Sequence, residues 1–459
     1  MHSPHHQISL LPPLVRSSVR YASLPPNCTR PWCTKRFISS PSVYHSFATR
    51  RSLGENRGRT DRGQIITRPQ RPRSTYEITA MPQGSKASSS SAAAAAGKRE
   101  KKLAEPRPSS SIILLSPTNQ VLLLHRVKTS TAFASAHVFP GGNLSDFHDG
   151  AVPPHGDPKR HEDSLAYRLG AIRETFEESG ILLARDGKSR DGPLLNLPTA
   201  ERDEARKAIW ENKISFRKWL ESVGGIPDVD NLIPFTRWIT PPQPPKRFTT
   251  QMYLYMLPLS TSSDPVVSAA QHEALIPTPD GGAEITTAQF GDVFAWLEKG
   301  RRGEITLFPP QHFLLYMLSQ FLTGAPSGNA TPTSSTSEEV LSAEQHYEAQ
   351  REKLRVFLNT VPTSSHPKAL KHPTSQIPWA DKVISPVTLG VRQQQGDRRV
   401  ILGLHSPGEE LKGTDRGGDW ERVVLVNFTK AGPVDVEVRG REEVFVEERE
   451  VAEKAKEKL

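Results

Sequence analysis

Apolar positions along the middle of this chain recur with two different periods. Ser110 to Leu115 and Val121 to Val127 are apolar runs separated by Pro117, Thr118 and Asn119, the pattern of two strands joined by a turn. Phe139-Pro140-Gly141-Gly142 then marks a sharp turn after an apolar strand, and residues 143–162, polar and rich in Pro, Gly and His, predict a loop. Leu165, Leu169, Ile172 and Phe176 follow at spacings of four, three and four, which predicts the buried face of a helix. Asp163 or Ser164 is its expected N-cap and Gly180 its stop. Residues 200–222 read as helical, with Ala205, Ile209, Trp210, Phe216, Trp219 and Leu220 as candidate core. A strand over Met252 to Leu257 follows a Pro-rich bend at 241–245. Two helices are expected around Val293, Phe294 and Leu297 and over Phe313 to Leu322, the second starting at Pro309, Pro310 and Gln311. A charged helix over 338–358 and strands at 400–404, 422–428 and 434–438 complete the pattern. Phe235, Trp238, Trp296 and Phe308 are assigned to the core.

Charge changes the picture at the N-terminus. The whole chain of 459 residues carries a net +9, yet its first hundred residues hold 16 Lys and Arg against four Asp and Glu, so the remainder is slightly acidic. The basic balance therefore describes a tail and not a nucleic-acid-binding surface. The opening residues, with Arg16, Arg20, Arg30, Lys35 and Arg36 among serines and no acid, have the character of a mitochondrial transit peptide. Met81 is an alternative start, and the final Lys458-Leu459 partly match a peroxisomal address, so peroxisomal and cytoplasmic placement stay open. Cys28 and Cys33 are the two cysteines, both in the tail, which excludes a disulfide framework or a Cys-based metal site elsewhere. The longest apolar runs fall far short of the 18 or so residues of a membrane helix. The expected organisation is a disordered basic tail and linker over 1–106, a main folded domain over 107–323 with an insertion at 143–162, a flexible insertion and charged helix over 324–376, and a β-rich extension over 377–459.

The segment that carries chemistry is Arg173-Glu174-Thr175-Phe176-Glu177-Glu178-Ser179-Gly180-Ile181. On a helix Glu174, Glu177 and Glu178 fall at i, i+3 and i+4 and share one face. Three like charges in one turn repel unless a cation neutralises them, and oxygen-only ligands suit Mg2+ or Mn2+. The bland alternative is a solvated Glu-rich face. Context argues against it: the helix follows a strand and a Gly-Gly turn whose Gly141 carbonyl can approach a metal, and it ends at glycine.

R-E-x-x-E-E-x-G followed by an apolar residue resembles the core of the Nudix box. The full box places a glycine 14 residues before its Arg and a Glu eight before it. Here Gly142 lies 31 residues before Arg173, Leu165 stands at the Glu position, and Thr175 replaces an aliphatic residue. Glu162 or Asp163 is the expected substitute for the upstream carboxylate. VFPGGNLSD at 138–146, RWITPPQPPKRFTTQMYLYML at 237–257 and LFPPQHFLLYML at 307–318 resemble the nucleoside diphosphate-linked moiety X motif 19 type of that superfamily, in a fungal-type form with a C-terminal extension.

The resemblance implies an α/β (α+β) fold, the Nudix α/β/α sandwich around a mixed sheet, and metal-dependent hydrolysis of a diphosphate bond in coenzyme A or an acyl-coenzyme A. Glu177, Glu178, Glu174 and the Gly141 carbonyl would hold Mg2+ or Mn2+, with Glu174 a further ligand or the base and Arg173 orienting the carboxylates. Glu284 is a second candidate base, read by default as a surface residue. Lys246, Arg247 and Phe248, two cations beside an aromatic, are candidates to hold a phosphate and stack a base. The expected partner is a small nucleoside diphosphate derivative, without nucleic acid or membrane. A pyrophosphatase for NADH or ADP-ribose and a catalytically silent binding module are the alternatives.

Overall fold

The computed structural model describes residues 103–457 except 131–133, 188–191, 260–274, 327–336 and 395. The basic tail with its two cysteines and the final Lys458-Leu459 lie outside the described residues.

One strand organises the fold. β1 (Arg107–Leu115) is buried from its second residue onward and sends alternate side chains into two apolar layers, Ile113 and Leu115 to one and Ile112 and Leu114 to the other. A strand that is apolar on both faces must lie inside a covered sheet. β2 (Val121–Arg126) turns back antiparallel to it, as the two apolar runs predict. β3 (His137–Val138) pairs with β2, and β4 (Gly141–Asn143) runs antiparallel to Ser109–Ser111 of β1. After the two-stranded ribbon β5 (Ala184–Asp186) and β6 (Gly225–Pro227), β7 (Ile233–Ile239) pairs antiparallel with β8 (Phe248–Met256), which lies parallel to the whole of β1. β9 (Ile285–Gly291) adds to β2, and β10 (Val383–Ile384) adds parallel to β7. The eight strands form one mixed sheet.

On one face pack α1 (Asp146–Asp149), α2 (Leu165–Ser179), α3 (Thr199–Trp210) and α4 (Phe216–Ser222). Tyr167, Ile172 and Phe176 of α2 meet Ile209, Phe216 and Trp219 there, Phe176 stacked on Trp219 at 4.8 Å between ring centroids. On the other face lie the helices Val293–Arg301, Pro309–Ser319 and Ser337–Asn359. The architecture is the expected α/β/α sandwich with a mixed sheet. A second sheet, β11 (Val387–Val391), β12 (Val400–Leu404), β13 (Asp419–Thr429) and β14 (Gly432–Gly440), packs Leu402, Leu404, Val424, Val426 and Val438 onto that outer helical layer. Its far face carries Ile401, Val423 and Leu425 against Val444 of the helix Arg441–Lys456.

Several local expectations change. The single helix over 200–222 is two, parted at Asn212 in the left-handed region (φ +58°). Trp210 and Leu165, assigned to buried faces, are exposed. Residues 143–162 are not a solvated loop, because α1 and the turn Pro158–His161 bury His148, Asp149, Arg160 and His161.

The C-terminal segment joins the main core through Trp379, which is fully buried with ring centroids 5.4 Å from Phe357, 6.1 Å from Phe235 and 6.3 Å from Phe313. Trp379→Ala leaves a cavity that should cost about 3–5 kcal/mol. In chemical denaturation the tryptophan-fluorescence and circular-dichroism transitions should both move and stay coincident; separate transitions would show that the two sheets fold independently.

Candidate active site

α2 runs from its N-cap Ser164 to Gly180, whose left-handed φ of +74° closes the helix by donating its amide to the Phe176 carbonyl. With Ile172 and Phe176 held in the core, Glu174, Glu177 and Glu178 fall on the facing side and line a cavity of 280 Å³ with Asn143, His148, Trp210, Asp280 and Glu284. β4 delivers its two glycines to this face. The Gly141 amide donates to Glu178 Oε2 at 2.9 Å, and a Cβ at Gly142 would stand 2.4 Å from the Glu174 carboxyl carbon. Only a residue without a side chain leaves Glu174 its place.

Arg173, 4% exposed, spends all five of its N–H donors here. Nη1 donates to Glu174 Oε1 at 2.8 Å and Glu177 Oε1 at 2.9 Å, Nη2 to the Asn143 carbonyl at 2.9 Å, and Nε and Nη2 together to Asp149 at 2.8 and 3.0 Å. Asp149, fully buried and also accepting from the Ser145 amide, is the carboxylate that the split box lacks. Glu162 and Asp163 do not substitute for it: Glu162 is exposed, and Asp163 is taken by Arg168 at 2.6 Å and by the Tyr253 hydroxyl. Counting forward would have found it, since Asp149 follows Gly142 by seven residues where the box has six.

Behind two of the lining carboxylates stands Arg126, which donates to Glu178 at 3.3 Å and to Glu284 at 2.9 Å. Glu284 is thus a cavity residue, not the plain surface residue of its default reading. Asp280 sets its position by accepting from the amides of Gly282, Glu284 and Ile285. Lys246, Arg247 and Phe248 are not among the residues lining this cavity. The Arg247 guanidinium is buried and committed to the carbonyls of Ala104, Thr240 and Pro241 and to Glu410, so it clasps the bend at 241–245 to the C-terminal segment and has no access to a phosphate.

Asp149, Glu174, Glu177, Glu178 and Glu284 therefore pair with two arginines, and all but Glu284 are poorly solvated. Burial first, and the neighbouring Glu174 second, push Glu177 up to about 7 and Glu178 well above the ordinary carboxylate range; burial also raises Glu174. Surplus negative charge in an all-oxygen donor set fits a hard divalent cation. Among the described residues no three His, Cys, Asp or Glu side chains form a ready-made metal cluster. Arg173 draws Glu174 and Glu177 toward one side, and Arg126 with the Gly141 amide holds both oxygens of Glu178 on the other. The contact that Gly141 makes with the cluster is through its amide, where the sequence pointed to its carbonyl.

Because Glu177 titrates higher in the fold than its ordinary 4.5, the stability it permits is complete below pH 4.5 and is lost as pH rises through about 7. In chelator-treated buffer Glu177→Gln should therefore unfold later than the parent at pH 8, by at most about 3 kcal/mol, with the gap closing toward pH 4.5. A pH-independent gap would refute the charge argument. Asp149→Asn breaks a buried two-bond ion pair and should cost about 3 kcal/mol in denaturant titration.

Residues 154–318 match the NUDT19 Nudix domain. The acyl-coenzyme A diphosphatase NUDT19 of Gallus gallus is 31% identical over 249 residues, 44% of this chain and 61% of that protein. The protein of the same name from Homo sapiens is 26% identical over 243 residues, again 44% and 61%. The chain thus spans about three fifths of the length of these curated relatives. The crystal structure of a NUDIX hydrolase from Alicyclobacillus acidocaldarius is 23% identical and aligns with 46% of this chain and 90% of its own, at a TM-score of 0.37. The helix that carries the box lies inside the matched segment, and its glycines and Asp149 lie just ahead of it, so residues 154–318 are similar to a Nudix domain of the NUDT19 type.

Proposed function

We propose that the chain hydrolyses the diphosphate bond of coenzyme A or an acyl-coenzyme A, giving 3′,5′-ADP and the (acyl-)4′-phosphopantetheine. The observation that carries the reading is the surplus of buried carboxylates on α2, fixed by Arg173 beside a cavity. Mg2+ or Mn2+ held by Glu174, Glu177 and Glu178 would supply neutralisation of the diphosphate charge and a water of lowered pKa.

The chain's own residues supply position and proton transfer. Arg173 stays charged at any working pH and keeps Glu174 and Glu177 from turning away as the local charge changes. The Gly141 amide and Arg126 orient Glu178 in the same way. Arg126 also bridges Glu178 to Glu284 and so fixes the spacing of these two carboxylates. Glu284, whose side chain is 45% exposed, keeps access to water and is the base this arrangement favours. In the balanced step a water oxygen bonds to one phosphorus, the bridging P–O bond breaks, Glu284 takes the water proton, and two phosphate monoesters leave.

The test is product analysis by mass spectrometry after incubating the full chain with Mg2+ or Mn2+ and coenzyme A, acyl-coenzyme A, NADH and ADP-ribose. The expected result is metal-dependent release of 3′,5′-ADP by the parent, with turnover at least roughly 100-fold lower in Glu177→Gln and Glu178→Gln. AMP from NADH or ADP-ribose alone would move the protein to the other substrate class, and no turnover would make it a binding module.

A further inference from the structure

Beside the carboxylate cavity lies a larger one, of 470 Å³, and the two share Glu177, Trp210 and Asp280. One wall is the face of α3 that repeats at Asp203, Arg206, Lys207 and Trp210; the other is formed by residues 278–283. This annexe is fastened to the helix of the box. Arg206, 6% exposed, donates twice to the Glu177 carbonyl, at 3.1 and 2.9 Å, and reaches both the carbonyl and the hydroxyl of Thr278 at 3.0 Å. The Thr278 amide in turn donates to the Ser179 carbonyl at 2.8 Å. The annexe therefore holds a fixed distance from the carboxylates.

Trp210 points to an occupant. Trp219, Trp238, Trp296 and Trp379 are each at most 7% exposed, whereas Trp210 is 43% exposed on the rim that the two cavities share. A large aromatic left in water at a cavity mouth is poised to cover a ligand. Charge says which part of the ligand. Glu177, Asp203, Glu211 and Asp280 outnumber Arg206 and Lys207 along the lining, and Arg206 is already spent on carbonyls. Such a space repels a terminal phosphate, while Trp210, Pro279, Gly281 and Ala283 offer small and apolar surface. Its volume falls within the range of small-molecule sites, about 300–1,000 Å³.

We propose that the annexe takes the uncharged arm of the substrate, an amide-bearing chain that ends in an apolar acyl group, and that Trp210 determines specificity for that arm. The inference rests on the coenzyme A ester reading of the neighbouring site. The polyanionic nucleotide end then lies on the other side of the carboxylates, in the smaller cavity.

The test compares the full-length parent with Trp210→Ala, which removes the platform, and Ala283→Phe, which fills the space. Three quantities are measured with Mg2+ present: kcat/KM for short- and long-chain acyl-coenzyme A, the inhibition constant of 3′,5′-ADP, and calorimetric binding of an S-acyl-pantetheine that carries no phosphate. Both variants should lose tenfold or more in kcat/KM for the long-chain ester, chiefly through KM, and should bind the S-acyl-pantetheine at least tenfold more weakly, with the 3′,5′-ADP constant within twofold of the parent. An unchanged chain-length preference, or an equal loss of 3′,5′-ADP affinity, would overturn the assignment. The calorimetry needs no turnover: a parent that binds S-acyl-pantetheine through Trp210 but cleaves no ester would defeat the proposed reaction and leave the annexe standing.

Discussion

A single guanidinium holds the site together. Arg173 is buried, and each of its N–H groups ends on an oxygen, drawn from β4, α1 and α2. The planar fork matters as much as the charge. A lysine at this position has three donors on one nitrogen and would leave at least two of these acceptors without their side-chain donor. The three carboxylates on α2 are tolerable as a group because two of them share this cation and the third has Arg126 and a backbone amide.

The sheet makes that arrangement reachable. β1 is apolar on both faces toward its C-terminal end, but carries Ser109, Ser110 and Ser111 where β4 crosses it, and these small residues let the Gly-Gly turn lie flat under α2. Apolar burial fixes the plane of the sheet, α2 is pressed on it by Ile172 and Phe176, and the carboxylates are left facing the glycines. Arg206 then ties α3 and the segment around Thr278 to the end of the same helix. Site and annexe are consequences of how one helix is clamped.

Much of this was legible along the chain. The four-three-four spacing on α2, its N-cap Ser164 and its glycine stop are local signals, and the i, i+3, i+4 carboxylates follow from helix geometry alone. Asp149 was hidden for a physical reason: its partner is 24 residues away, and the segment between is polar, so hydropathy reads it as loop. Arg247 misled because a cation beside an aromatic looks alike whether it awaits a phosphate or clamps carbonyls. Trp210 misled because an indole at helical spacing is usually core, and nothing local says that α3 ends there. Long-range partners, not local propensity, decided each of these positions.

The second sheet has a consequence for how the molecule is made. The helix Pro309–Ser319 buries Phe313, Leu314, Leu315, Met317 and Leu318, side chains that spread over more than half of its circumference, because it lies between two sheets. Part of that covering comes from the sheet whose first strand begins at Val387. A ribosome adding roughly 5–20 residues per second leaves this helix bare on one side for several seconds after the part of the chain that carries the box has emerged. During that interval the nascent protein presents an apolar stripe to every other chain nearby. The last seventy residues thus serve the first part of the fold as a built-in cover, and premature termination anywhere within them would yield a sticky product even though every residue of the box had been made.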